Sequence, residues 1–430
     1  MGLSQAEAVE NSRIFLERER AVKGQACPLT EDFFAVLKLM AKKDVQGAAL
    51  KLFESNPLAA ITARCAPEIY NGTEVYNRQA QRVSLRAIER FCADRMKGDP
   101  DNEKDPFSRR KPKVAVIGSG PAGLMASAFL SRQGFAVTVV DSESFEGGSC
   151  ASCYPEFRLP RRVVDQILGR LRSQGVEFKL NTLFPQTLSV ENLFDEGGFS
   201  AVLLATGAGI TEPLGIPEEN AAGVMPAAHM LLWTRAMRAG QGAHTTPLFL
   251  GKKVVVAGQN EMAFDAARTA IRLGKSVELV IAGAESDVRV PADFVRLAAE
   301  EGVKFRTFAV PESIRTDASG CVKALACRHL DYRVDSAGRL TVAAENSAFE
   351  VEADTVINAR AMRANTLFLS AVPGLDFNLD GSVWVKPDSS FTSVRKIFAA
   401  GHVVRPGASL LDVLVDARRA AFEITAYLNG

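Results

Sequence analysis

Gly118, Gly120 and Gly123 are spaced as a loop that lets main chain approach a phosphate. The first glycine permits a tight turn, the second admits a pyrophosphate to the backbone, and the third lets a helix pack closely on the preceding strand. The pyrophosphate would rest at the N-terminus of a helix opening at Pro121, where unpaired N–H groups and the helix dipole favour negative charge. A ribose hydroxyl needs an acid ~20 residues further on, and Asp141 stands there. The same acid argues against a 2′-phosphate at this site. A second, damaged copy of the pattern reads Gly258, Asn260, Ala263. Asn260 puts a side chain where backbone should meet the pyrophosphate, although asparagine tolerates left-handed angles better than most residues. Glu261 beside it would repel a phosphate unless turned to solvent. Beyond it, Ala282, Gly283 and Ala284 supply neither arginines for a 2′-phosphate nor an immediate acid for a ribose. This second site is therefore expected to take NAD(H) rather than NADP(H), with a vestigial domain that binds no nucleotide as the alternative. Cys150 and Cys153 form a lone CxxC. The pair is open to three readings: a redox dithiol, half of a metal site, or two small residues lining a pocket. A redox role needs one thiol of lowered pKa with access to a partner.

These residues need elements to hold them. Short apolar runs at 114–117 and 137–140 flank a helical stretch from Pro121, and the runs at 254–257 and 277–281 flank another at 262–273. Two such βαβ units indicate two nucleotide-binding domains rather than one long sheet. Ahead of them, residues 31–96 carry helical apolar spacing, broken at Asn56–Pro57 and Ala66–Pro67. The stretch 98–106 is rich in charge and breakers and reads as a linker. The fold expected is α/β, with two Rossmann-like domains, one inserted in the other, after an α-helical domain.

With 51 basic and 50 acidic side chains, the 430-residue chain offers no electrostatic case for nucleic acid or an anionic membrane. The basic cluster Arg109, Arg110, Lys111 and Lys113 reads as a solvated hinge. No apolar run approaches the ~20 residues that span a bilayer, and Met1 to Glu10 lack the apolar core of a signal peptide. Seven cysteines scattered through the chain do not make a secreted disulfide framework, so a cytoplasmic location is expected.

Gly118 to Asp141, Gly147, Gly148 and the run from Pro155 to Pro160 resemble the small (beta) subunit of glutamate synthase and its relatives. These are FAD-containing NAD(P)H oxidoreductases, many of them electron-input modules of larger complexes. The resemblance runs over nearly the whole chain, including Asn56, Pro57, the stretch 82–91, Leu204 to Gly207, 298–303, 353–357, and Thr392 to Gly401. It implies a helical domain at 1–107, an FAD domain at 112–211 and 365–430, and an inserted NAD(P)H-binding-like domain at 212–364. It also implies FAD contacts at Gly118, Gly120, Ala122, Gly123, Asp141, Gly148, Arg158, Thr206 and Gly207. The C-terminal helix from near Leu411 would point at the flavin's pyrimidine end.

The sequence departs from that family in two further places. The family's N-terminal domain usually holds two iron–sulfur clusters, and an ordinary [4Fe–4S] cluster needs four thiolates. The region here offers Cys27, Cys65 and Cys92, far apart, so no cluster of its own is expected. Near the C-terminus the family's Gly-Asp becomes Gly401-His402, where histidine can replace the ribityl hydrogen bond and can titrate near neutrality. The expected function is an FAD-containing electron-transfer subunit, passing electrons between NAD(H) and the iron–sulfur or other metal centre of a partner subunit. Two alternatives stand beside it: a flavin relay or scaffold with a vestigial nicotinamide site, and a flavin-thiol reductase using Cys150 and Cys153.

Overall fold

The computed structural model describes residues 3–17, 29, 33–66, 75–76, 82–96, 112–238, 249–334 and 340–430. Cys27, the 98–106 linker and the basic residues Arg109, Arg110 and Lys111 lie outside the described residues. The chain divides into two compact units. The first comprises Met1–Ala151, Phe157–Gly209 and Arg363–Gly430; the second comprises Ser152–Glu156 and Ile210–Met362. The helical region and the first nucleotide-binding sheet thus share one unit. The longer segment of the second unit runs from Ile210 to Met362.

In the first unit, helices Gln5–Glu17, Phe33–Ala41, Val45–Ser55, Ala59–Cys65 and Leu85–Ala93 pack around Phe15, Leu37, Met40, Leu52 and Ile88. The opening helix is polar and buries only Ala8, Val9, Ser12 and Phe15, which is why its sequence carries little helical signal. A five-stranded parallel sheet follows, ordered Ile397–Ala399, Phe199–Leu204, Lys113–Ile117, Ala136–Val140, Glu177–Lys179. Its central strands are near-continuous apolar runs because helices cover both faces of such a sheet. The last helix, Leu410–Asn429, begins with a capping box in which Ser409 and Asp412 satisfy each other's backbone N–H groups.

The second unit has its own five-stranded parallel sheet, ordered Lys304–Arg306, Ser276–Val280, Lys253–Ala257, Thr355–Asn358, Val224–Pro226. An antiparallel meander of Ala309–Thr316, Val322–Val334 and Leu340–Glu352 joins it. Among the described residues, no helix is long and apolar enough to cross a membrane.

Candidate functional site: two fingerprint loops

The strand Lys113–Ile117 buries all but its first residue and ends at Gly118, whose φ is +109°. A Cβ on Gly118 would lie 2.3 Å from the Ala205 carbonyl oxygen, so the turn admits only glycine. Gly123 sits in the first turn of the helix Pro121–Arg132, and a Cβ there would lie 1.9 Å from the Gly118 oxygen. Gly120 caps that helix in an extended conformation, with no side-chain cap and nothing within 4 Å of the place a Cβ would occupy. Helix geometry leaves the N–H groups of Ala122 and Gly123 without intrahelical acceptors.

The surrounding residues lock the loop. Asp141 follows the strand Ala136–Val140; its two carboxylate oxygens accept the N–H groups of Ser119 (2.7 Å) and Glu143 (3.0 Å). Ser119, not anticipated from the sequence, is fully buried, and its Oγ accepts the Gly147 N–H at 3.0 Å. Gly148 packs so closely that a Cβ would come within 2.6 Å of the Gly120 Cα. Gly401, at φ +80°, approaches Ala122 and Val413, at 3.0 and 3.3 Å from where its Cβ would stand. Thr206 follows the strand Phe199–Leu204 beside Gly118, and Gly207 takes φ +73°. The Thr206 Oγ1 is buried and has no hydrogen-bond partner among the described residues. A buried hydroxyl left so costs about 1–3 kcal/mol unless something supplies a partner. The structure therefore brings together Gly118, Gly120, Ala122, Gly123, Asp141, Gly148, Thr206 and Gly401.

Two further expected residues carry bonds to main chain. One guanidinium nitrogen of Arg158 donates to the Cys65 carbonyl at 3.1 Å, at the end of the Ala59–Cys65 helix. His402 Nε2 lies 2.8 Å from the Ala408 carbonyl oxygen. A carbonyl only accepts, so in this contact the ring nitrogen is the donor.

The second unit repeats the construction with one difference. Gly258 ends the strand Lys253–Ala257, and a Cβ there would lie 2.5 Å from the Ala359 carbonyl oxygen, as at Gly118 and Ala205. Asn260 occupies the place of Gly120. It caps the helix Glu261–Arg272, its Oδ1 accepting the Ala263 N–H at 3.0 Å and its Nδ2 donating to the Ala359 carbonyl at 2.8 Å. Of the expected nicotinamide contacts Gly258, Asn260 and Ala263, the last two are already bonded to each other, while the Gly258 N–H donates to the Val280 carbonyl at 3.4 Å. Gln259 accepts the Ala282 N–H through its side chain at 3.3 Å.

The cysteines among the described residues are free thiols. Cys150 is buried in the short helix Ser149–Ser152. Burial pushes the Cys153 thiol up, against the opposing pull of the Ser152 hydroxyl and Arg235. That is the reverse of what an activated redox thiol requires. Cys65 and Cys92 are both buried, and burial with the neighbouring Glu89 pushes the Cys92 thiol up to about 12. Among the described residues no group of three or more His, Cys, Asp or Glu side chains is placed to hold a metal ion.

Comparison with known proteins agrees with this geometry. The family model described as "Pyridine nucleotide-disulphide oxidoreductase" matches residues 112–421. A second, "Dihydroprymidine dehydrogenase domain II, 4Fe-4S cluster", matches residues 1–100. The three cysteines of that stretch fall short of the four thiolates of an ordinary cluster, so the residues present do not fit the group in that model's name. The glutamate synthase [NADPH] small chain of Escherichia coli is 29% identical over 94% of this chain and 88% of its own length. That of Mycobacterium tuberculosis is 30% identical over 94% of this chain and 85% of its own. The NADP(+)-dependent formate dehydrogenase subunit beta of Moorella thermoacetica is 29% identical, and the match spans 81% of this chain but only 51% of that relative. Among solved structures, Mycobacterium tuberculosis FprA in complex with NADPH superposes with a TM-score of 0.59 at 18% identity, covering 74% of this chain and 85% of the other. T. acidophilum thioredoxin reductase gives 0.54 at 18%, covering 75% and 100%; at such identities these two speak for the fold alone. The chain belongs to the pyridine nucleotide-disulphide oxidoreductase family, among the relatives of the glutamate synthase small chain.

Proposed function

We propose that the first unit holds FAD and that the chain serves as the electron-transfer component of an oxidoreductase complex, linking a nicotinamide dinucleotide to the iron–sulfur or other metal centre of a partner. The observation that carries this is the first fingerprint loop: an uncapped helix N-terminus with open space before Gly120, next to the buried, unpartnered Thr206 hydroxyl. The N–H groups of Ala122 and Gly123 would receive the pyrophosphate. Asp141 keeps acceptor capacity for a ribose hydroxyl beyond the two N–H groups it already binds. Thr206, Gly207, Gly401 and His402 would line the cofactor's remaining length, with Arg158 holding the helical region through Cys65. When bound, FAD supplies the exchange of a hydride on one side and single electrons on the other, and the protein supplies position and exclusion of water.

The partner's character is inferred from the names of relatives, a small chain and a subunit beta, and from the absence of four cysteines in residues 1–100. For the nicotinamide, Ala282, Gly283 and Ala284 favour NAD(H), since none is an arginine. The relatives' names carry NADPH and NADP(+), so the two nucleotides are to be tested side by side. A second reading is favoured by Asn260: a flavin relay in which the second unit binds no nucleotide. Anaerobic titration of the FAD-loaded chain with NADH, then NADPH, then dithionite separates them. Rapid bleaching by a nicotinamide supports the linked oxidoreductase. Bleaching by dithionite alone supports the relay, and a chain that retains no flavin overturns both.

A further inference from the structure

The same position of the same loop is glycine in one unit and asparagine in the other, and the two have opposite consequences. Before Gly120 there is open space, and the helix it caps keeps its N–H groups for an external anion. Before Asn260 the chain has supplied its own acceptor: Oδ1 takes the Ala263 N–H, and Nδ2 is tied back to Ala359, the residue against which Gly258 turns. The asparagine is therefore held at both ends of its amide, across a span of 99 positions in sequence, and lies where a pyrophosphate would lie. A dinucleotide entering there must break both bonds and move the side chain, and it meets Glu261 in the first turn of the same helix. We propose that Asn260 is an internal plug of the second unit's pyrophosphate seat and the residue that keeps this unit's affinity for nicotinamide dinucleotides low. The proposal deepens the reading of the second unit as a nicotinamide site and rests on it.

Asn260→Gly removes the plug and keeps a residue well tolerated at a helix N-cap. Binding of NADH and of NADPH to the full-length protein would be measured by equilibrium dialysis, independently of flavin reduction. Asn260→Gly should bind at least one of them ten times more tightly than the wild type. Asn260→Ala, which breaks both bonds but keeps a Cβ, should fall between. Equal affinities in all three proteins would overturn the proposal, as would tight wild-type binding that Asn260→Gly does not improve. The reciprocal change, Gly120→Asn, places the same plug in the first unit and should lower FAD retention at least tenfold, read by flavin absorbance after gel filtration. Unchanged flavin retention in that variant would show that an asparagine here does not close the seat. Because dinucleotide binding and flavin content are read separately, a wrong account of Asn260 and a wrong account of the FAD site give different results.

Discussion

Thr206 is the residue at which the fold most plainly asks for a ligand. Its hydroxyl is buried without a partner among the described residues, beside glycines whose backbone angles no other residue takes readily. Thr206→Val keeps the shape and deletes the hydroxyl. The ligand-free protein should be as stable as the wild type or gain about 1 kcal/mol, while FAD affinity falls about tenfold; calorimetry and flavin titration read the two effects. A loss of stability with unchanged affinity would mean the hydroxyl has an internal partner. At this scale the glycines were legible from sequence because a Cβ at Gly118 or Gly123 collides with fixed backbone, so the residue type announces the geometry. Asn260 was legible as an obstruction but not as a doubly bonded cap, since Ala359 lies far away in sequence. The bond between His402 and Ala408 depends on a backbone path that no local pattern encodes.

At the scale of elements, the second unit's helices Glu261–Arg272 and Ala292–Glu300 are joined by Glu301, which accepts from Arg268 and Arg272 at 2.6 Å each. Burial alone would raise the Glu301 carboxyl, but the hydrogen bonds from Arg272 and Arg268 outweigh it and hold it at about 2. The folded state thus binds its proton less readily than the unfolded chain does. The pair's stabilisation is complete above the ordinary carboxylate range and is lost as pH falls from there toward 2. Glu301→Gln should lower stability by about 1 kcal/mol at pH 7 and flatten the dependence between pH 4.5 and 2, measured by urea unfolding. An unchanged acid limb would show that the contact is not maintained in solution. The strands Lys113–Ile117, Ala136–Val140, Lys253–Ala257 and Ser276–Val280 and the helices between them are readable from apolar runs and periodicity. The meander from Ala309 to Glu352 was not, because its strands carry Glu312, Arg315, Arg328 and Glu350 in ion pairs along exposed faces. Nor was the opening helix, whose buried side is four residues wide.

Over the whole molecule, the distribution of thiols tests the reading against a thiol reductase. Cys321 is exposed, burial pushes Cys92 and Cys327 up to about 12, and Cys153 is also pushed up. Iodoacetamide at pH 8 should therefore modify Cys321 first among the described cysteines, with Cys92 and Cys327 last, as mapped by mass spectrometry. Labelling of Cys150 or Cys153 as fast as Cys321 would return the dithiol reading to favour. The central claim remains the flavin. The measurement that tests it most directly is the FAD content of the chain after loading with excess FAD and gel filtration, for the wild type and Gly120→Asn side by side. About one FAD per wild-type chain, with most of it lost in the variant, is the expected result. A wild-type chain that elutes without flavin, or a variant that keeps it fully, contradicts the account.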